Sequence, residues 1–177
     1  LALNYDGIQM LLLRRTYPEL QENHIVQLKG ILNDIAIYHS QEKVFIFPNG
    51  SRLKMGYCKR EDDVLQFQGQ AYDVIALDEA THFTEFQFQA LTESNRASGL
   101  CKKPFSPRMY LTCNPGGVGH HWVKRLFVDK NYTGREMPEN YNFIPALVYD
   151  NKAFLESDPE YVAVLEALPE KRLFLPS

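Results

Sequence analysis

Apolar positions fall into short runs that alternate with amphipathic stretches. Gln9 to Arg15 is the first run, centred on Met10-Leu11-Leu12-Leu13 and bounded by Asp6-Gly7 and Thr16-Tyr17-Pro18. Its length and flanks predict a buried strand. Thr16 and Glu19 form a T-x-x-E capping box with proline in the first turn. Leu28, Ile31, Leu32 and Ile35 then recur at one-face helical spacing, which predicts a core-facing helix. Lys43 to Phe47 and Arg52 to Tyr57 flank Pro48-Asn49-Gly50-Ser51. That is a hairpin signal, because Asn-Gly tolerates the positive φ of a tight turn.

Glu61-Asp62-Asp63 reads as a solvated loop or first helical turn, and Tyr72 to Leu77 as a second buried strand ending at Asp78-Glu79. Thr84 and Gln87 repeat the capping box, with Phe83 and Phe88 placed as a hydrophobic staple. A helix is predicted from Glu85 to about Ser98. Arg108 to Cys113 predicts a third strand, closed by Asn114-Pro115-Gly116-Gly117. Trp122, Val123, Leu126 and Phe127 mark one face of a helix, and Asn142 to Tyr149 predicts a fourth strand. Ser157-Asp158-Pro159-Glu160 caps a last helix with Tyr161, Val164, Leu165 and Leu168 on its buried face, stopped by Pro169.

Strands alternating with helices define an α/β fold, with a mostly parallel sheet flanked by helices and the hairpin as an antiparallel departure. In such sheets ligands gather at the carboxyl ends of the strands. Arg15, Asp78 and Asn114 are therefore expected at one edge.

Composition narrows the class. The chain has 177 residues, 45% hydrophobic and 23% charged, which excludes disorder and is long enough for one domain with its own core. A formal net charge of -3 argues against a strongly basic nucleic-acid module, while leaving room for a local basic stripe. Cys58, Cys101 and Cys113 form no CxxC pair, so neither a disulfide framework nor a zinc ribbon is indicated, and a reducing intracellular compartment is the default. Met10 to Leu13 is far shorter than the ~20 apolar residues of a membrane span. Leu1 is not a natural initiator and no signal-peptide pattern opens the chain, which reads as a segment of a longer protein.

Val74-Ile75-Ala76-Leu77-Asp78-Glu79 carries the clearest chemistry: four apolar residues, then two carboxylates. At a parallel strand's end the first can hold a hydrated Mg²⁺ and the second can orient a water, the Walker B pattern. The same six residues also suit a strand that simply exits to solvent at a helix cap. About thirty residues on, Leu111-Thr112-Cys113-Asn114-Pro115-Gly116-Gly117 ends the next strand in a polar pair and a sharp turn, where a γ-phosphate sensor would sit.

With these motifs in place, the chain resembles the large terminase subunit of tailed bacteriophages, the motor that packages DNA. The resemblance runs through Leu11-Leu12-Leu13-Arg14-Arg15-Thr16-Tyr17-Pro18-Glu19-Leu20, Phe47-Pro48-Asn49-Gly50-Ser51 and Gln68-Gly69-Gln70-Ala71-Tyr72-Asp73. It continues in Asp78-Glu79-Ala80-Thr81-His82-Phe83, Asn114-Pro115-Gly116-Gly117-Val118-Gly119-His120-His121-Trp122-Val123-Lys124, Asp150-Asn151 and Asp158-Pro159-Glu160-Tyr161.

The resemblance implies the additional-strand, catalytic-glutamate branch of P-loop ATPases, with ATP and Mg²⁺ as cofactors. It implies that Asp78 is the Mg²⁺-coordinating Walker B aspartate and Glu79 the base that activates water. It places Thr112 and Asn114 in the motif that couples nucleotide state to DNA grip. Implied partners are double-stranded DNA, a small terminase subunit, a portal protein and further copies in a ring, with no membrane, in the host cytoplasm. Residues 1–177 are read as one partial ATPase domain. No G-x-x-x-x-G-K-[ST] loop occurs in the chain; in the family it precedes the segment resembling Leu1 to Leu20. The chain by itself is therefore expected to bind ATP poorly and turn it over negligibly, and the nuclease activity is not assigned to it.

Some positions stay open. Where some branches carry an arginine finger this chain has Gln68; Arg60, Arg96 and Arg108 are substitutes that equally fit solvated arginines. His24 and His39 are read on the first long helix, too far apart to share a metal, and the adjacent His120 and His121 read as turn or surface imidazoles. Lys124, Arg125 and Lys130 suit DNA phosphates or a plain solvated face. Two other readings compete with the motor: a helicase-like translocase of the same branch, and a non-catalytic scaffold.

Overall fold

The computed structural model describes residues 1–146, 148–158 and 160–167. They form two compact units, Leu1–His120 and His121–Ser177.

The first unit is built on a six-stranded sheet: β1 (Gln9–Arg14), β2 (Ile37–His39), β3 (Val44–Ile46), β4 (Arg52–Tyr57), β5 (Val74–Leu77) and β6 (Arg108–Leu111), in the order β2-β3-β4-β1-β5-β6. β4, β1, β5 and β6 are parallel, and β2 and β3 add antiparallel strands at one side. The hairpin forms as predicted, with Gly50 at φ 81° and the Asn49 side chain accepting the Ser51 N–H at 3.1 Å. β2 has no counterpart in the sequence reading, and it carries His39, which is therefore on a strand and not on the first helix.

Period two along β1 sorts its side chains between the two faces. Met10 joins Met55, Val74, Leu20, Ile25 and Phe45 in one cluster, with Leu12 packed against it. Leu11 and Leu13 point the other way and are fully buried, as are Ile75 and Leu77. Gly56 permits that packing: a Cβ there would stand 2.6 Å from Phe67 Cζ and 2.7 Å from Leu13 Cδ2. Each such buried aliphatic contributes roughly 1.5–3 kcal/mol.

The first helical stretch begins at Tyr17, where the Thr16 N–H donates to Glu19 Oε2 at 3.2 Å. It runs as Tyr17–Leu20, a wide π turn Gln21–Ile25, and Val26–Ile31. The predicted apolar face is only partly buried: Leu28, Leu32 and Ile35 pack on the core, while Ile31 is exposed. The helix ends at Ile31, so Leu32 and Ile35 do not continue its face. The helix Glu85–Ser94 keeps its capping box, Thr84 N–H to Gln87 Oε1 at 3.1 Å and Gln87 N–H to Thr84 Oγ1 at 3.2 Å, with Phe83 and Phe88 buried as the staple requires. It stops four residues before Ser98.

The second unit holds the π-wound segment Lys124–Val128, the 3-10 turns Pro138–Asn140 and Val148–Asp150, and the helices Lys152–Ser157 and Tyr161–Glu166. The strand predicted over Asn142 to Tyr149 is absent from its described residues, and Ile144 is exposed. Pro145 explains this: it has no N–H to donate to a ladder. The last helix forms, but Tyr161 and Val164 are exposed rather than core-facing, and Leu168 and Pro169 lie outside the described residues.

Candidate active site

β1, β5 and β6 are parallel and in register, Leu13 beside Leu77 and Leu77 beside Leu111. The residues that follow them therefore emerge at one edge. There Asp78 is held from three sides. Its Oδ2 accepts from Arg14 Nη1 and from His24 Nε2, both at 2.8 Å. Its Oδ1 accepts from Thr112 Oγ1 at 2.5 Å. Burial pushes the Asp78 carboxyl up, but the hydrogen bonds from Thr112 and His24 and the Arg14 guanidinium outweigh it and hold it below the ordinary value. Asp78 is thus a firmly ionised carboxylate.

Glu79 adopts a left-handed backbone, φ 57° and ψ 58°, a conformation that costs an L-residue about 1–2 kcal/mol. Three contacts to β6 and its extension hold it there. The Glu79 N–H donates to Thr112 Oγ1 at 3.1 Å, the Ala80 N–H to Thr112 O at 2.7 Å, and Asn114 Nδ2 donates to Glu79 Oε1 at 3.1 Å. The turn turns its carboxylate toward Asn114, with Arg14 Nη1 3.9 Å away. The loop beyond is fastened by Thr81 Oγ1 to Asn114 O at 2.9 Å and by the Gly119 N–H to Thr81 O at 2.7 Å. Gly117 is required by that closeness: its φ is 79°, and a Cβ would lie 2.5 Å from Thr81 O.

Asp78, Glu79, Thr112 and Asn114 are thus brought together as the sequence predicts. Two site residues were missed. Arg14, not Arg15, faces Asp78; Arg15 lies on the other face, its Nη1 donating to Cys58 O at 2.9 Å and Gln87 Oε1 at 3.1 Å. The alternation of β1 carried that signal, since Arg14 shares its face with Leu12. His24 reaches Asp78 from the π turn, which no regular helical spacing would reveal.

The other candidates fall elsewhere. Arg108 opens β6 beside Val74, at the opposite end of the sheet from Asp78, and stacks over Phe105 at 5.0 Å. Arg96 Nη2 is tied to Gly69 O at 3.2 Å, and Arg60 is exposed. His120 Nδ1 accepts the Gly116 N–H at 3.2 Å, a turn role. Lys124 pairs with Asp129 at 2.6 Å and Arg125 with Glu136 at 2.7 Å, so both cations are neutralised within their own unit, while Lys130 is exposed.

Arg14 Nε is buried without a partner among the described residues. Such a donor is costly unless an acceptor meets it, and it sits beside two carboxylates at a sheet edge. Among the described residues there is no group of three or more metal-ligating side chains, and no helix is long and apolar enough to cross a membrane.

The mostly parallel sheet thus ends in adjacent carboxylates on one strand and a polar pair on the next. Residues 4–174 match the family described as terminase large subunit, T4likevirus-type, N-terminal, and the chain belongs to it. The fold is likewise that of solved large terminases. The large terminase of the thermophilic bacteriophage D6E in complex with ADP aligns with TM-score 0.68 at 17% identity, over 92% of this chain and 38% of that one. The same protein with ATP-gamma-S aligns at 0.64 and 17%, over 89% and 36%. The large terminase ATPase domain of Thermus phage P74-26 aligns at 0.54 and 12%, over 94% and 73%. The chain thus spans little more than a third of the D6E protein. No curated protein matches it.

Proposed function

We propose that the chain is part of the ATP-hydrolysing motor of a phage terminase large subunit, which translocates double-stranded DNA into a procapsid. The observation that carries this is the pair Asp78–Glu79 at the end of β5, held by Thr112 and Asn114 from β6. Family membership and the ADP and ATP-gamma-S complexes of D6E terminase support it. Residues 1–177 are read as part of one ATPase domain of a longer protein. It would work in the host cytoplasm as a ring of copies, with a small terminase subunit and a portal protein.

The donors present fit a hydrated Mg²⁺. Asp78 offers a hard, ionised oxygen with the Thr112 hydroxyl beside it, and a lone carboxylate suits a cation that keeps most of its waters. Bound there with ATP, Mg²⁺ would neutralise charge on the phosphates. Glu79 acts as general base: it accepts a proton from the attacking water, and Asn114 orients its carboxylate by the Nδ2 hydrogen bond. Thr112 fixes the pair by bonding to both residues. The unpartnered Arg14 Nε suits a phosphate oxygen. The phosphate cradle itself would come from the loop that precedes this segment in the family.

The test uses the full-length protein. Glu79→Gln should keep nucleotide binding and lower ATP hydrolysis by about 10²–10⁴, the scale of a general base. Asp78→Asn should weaken the Mg²⁺ dependence of binding, and both should stop DNA packaging. Near wild-type turnover in Glu79→Gln would remove the catalytic assignment of Glu79, and an absence of ATP turnover in the full-length protein would favour a scaffold. Strand separation without packaging would favour a helicase-like translocase.

A further inference from the structure

Asp78 is bonded unequally on its two oxygens. Oδ2 receives two donors, Arg14 Nη1 and His24 Nε2, and Oδ1 receives one, Thr112 Oγ1. An ionised carboxylate offers about four acceptor positions, two on each oxygen. Oδ2 is therefore full, and Oδ1 keeps one position.

The second donor on Oδ2 depends on a local irregularity. Leu20 and Ile25 are both buried although five positions apart, because Gln21–Ile25 winds as a π turn. That wide turn accommodates both anchors in the core and presents His24, between them, to Asp78. Among the described residues, His24 makes its side-chain hydrogen bond to Asp78 alone. Arg14 also approaches Glu79, at 3.9 Å.

A carboxylate open on one oxygen cannot grip a cation with both. Ca²⁺ takes many oxygen ligands, often through bidentate carboxylates, whereas Mg²⁺ keeps several waters and needs one or two carboxylate oxygens. We propose that His24 is a positioning residue that sets the metal preference of the site: by closing Asp78 Oδ2, it leaves a one-oxygen acceptor that receives a hydrated Mg²⁺ and disfavours Ca²⁺. This rests on reading Asp78 as the Mg²⁺-holding residue.

The experiment uses full-length protein saturated with ATP-gamma-S and reads Mn²⁺ binding by electron paramagnetic resonance, with Mg²⁺ and Ca²⁺ as competitors. Wild type should favour Mg²⁺. His24→Leu, which keeps bulk and removes the donor, should narrow the Mg²⁺-to-Ca²⁺ preference by about tenfold, the lower end of effects seen when a group behind a metal ligand is lost. His24→Gln, which keeps an N–H donor, should restore most of it. His24→Ala gives a second reading if His24→Leu does not fold. An unchanged ratio in both donorless variants, or an equal loss for both ions, overturns the proposal. Asp78→Asn separates the two levels: if it leaves Mn²⁺ binding unchanged, Asp78 is not the metal-holding residue; if it weakens binding while the His24 variants keep their ratio, only the selectivity role fails.

Discussion

Thr112 Oγ1 donates to Asp78 Oδ1 at 2.5 Å, across 34 positions of sequence and the ends of two adjacent strands. The same oxygen accepts the Glu79 N–H at 3.1 Å. One hydroxyl therefore fixes both members of the acidic pair relative to β6. Thr112→Val keeps the β-branched shape and deletes both bonds. It should cost about 1 kcal/mol in stability. In the full-length protein it should lower ATP turnover by about 10², the scale of a small misplacement of reacting groups. Thr112→Ser should recover most of the turnover. Equal rates for the Val and Ser variants would show that the hydroxyl positions nothing.

Gly56 tests the sheet packing beneath the site. A methyl there meets Phe67 and Leu13 at 2.6 and 2.7 Å, both side chains fully or nearly fully buried. Gly56→Ala should destabilise the first unit by about 1–3 kcal/mol, the usual cost of overpacking a filled core. Chemical denaturation measures it, and a neutral result would mean Phe67 can swing aside.

How far the site could be read in advance follows from these same packing rules. Asp78 and Glu79 stand out because four apolar residues end abruptly in two charges, and Thr112 and Asn114 because a strand ends in a polar pair before Gly-rich sequence. Arg14 and Arg15 are adjacent, so choosing between them needs the phase of β1: Arg14 falls with Leu12 toward the first helix, Arg15 with Leu13 toward Gln87. His24 was beyond reach, because a π turn breaks the 3.6 period on which helix faces are read. β2 escaped because Ile37–His39 is a three-residue edge strand with Ile37 exposed, too short to show alternation. Asn142 to Tyr149 departs in the opposite sense: its apolar content favours a strand, but Pro145 has no N–H to give a ladder and opposes one.

The ion pair of Arg125 and Glu136 gives the second unit a pH signature. Two guanidinium hydrogen bonds, at 2.7 and 2.9 Å, bring the Glu136 carboxyl down to about 2, with the Thr133 N–H adding to the effect against a smaller opposing cost of burial. A carboxylate whose pKa is lower in the folded state stabilises that state above its unfolded value. The contribution is therefore complete above about pH 4.5, the ordinary value, and is lost as pH falls toward about 2. A carbon-detected NMR titration should place the Glu136 midpoint near the lower value. Arg125→Met should return it toward the ordinary range and flatten the acid side of the stability profile. A Glu136 midpoint that does not move in that variant would mean the guanidinium is not its cause.

Glu79 carries a strain that can be separated from its chemistry. Its φ of 57° is left-handed, and the bonds from Thr112, Ala80 and Asn114 hold it there. Glu79→Gly and Glu79→Ala both remove the carboxylate, so both should lower hydrolysis in the full-length protein by about 10²–10⁴. They differ in the backbone. Glycine adopts positive φ without steric cost, while alanine keeps the Cβ clash of about 1–2 kcal/mol. Glycine also makes the unfolded chain more flexible, which offsets part of that gain. The glycine variant should therefore be the more stable of the two by about 1 kcal/mol, despite being equally inactive. Melting of the two proteins side by side measures the difference. If they melt together, the left-handed turn is not a strained element, and the acidic pair owes its geometry to the side-chain bonds alone. If glycine wins, the left-handed turn that aims the Glu79 carboxylate at Asn114 is held at a measurable cost in stability.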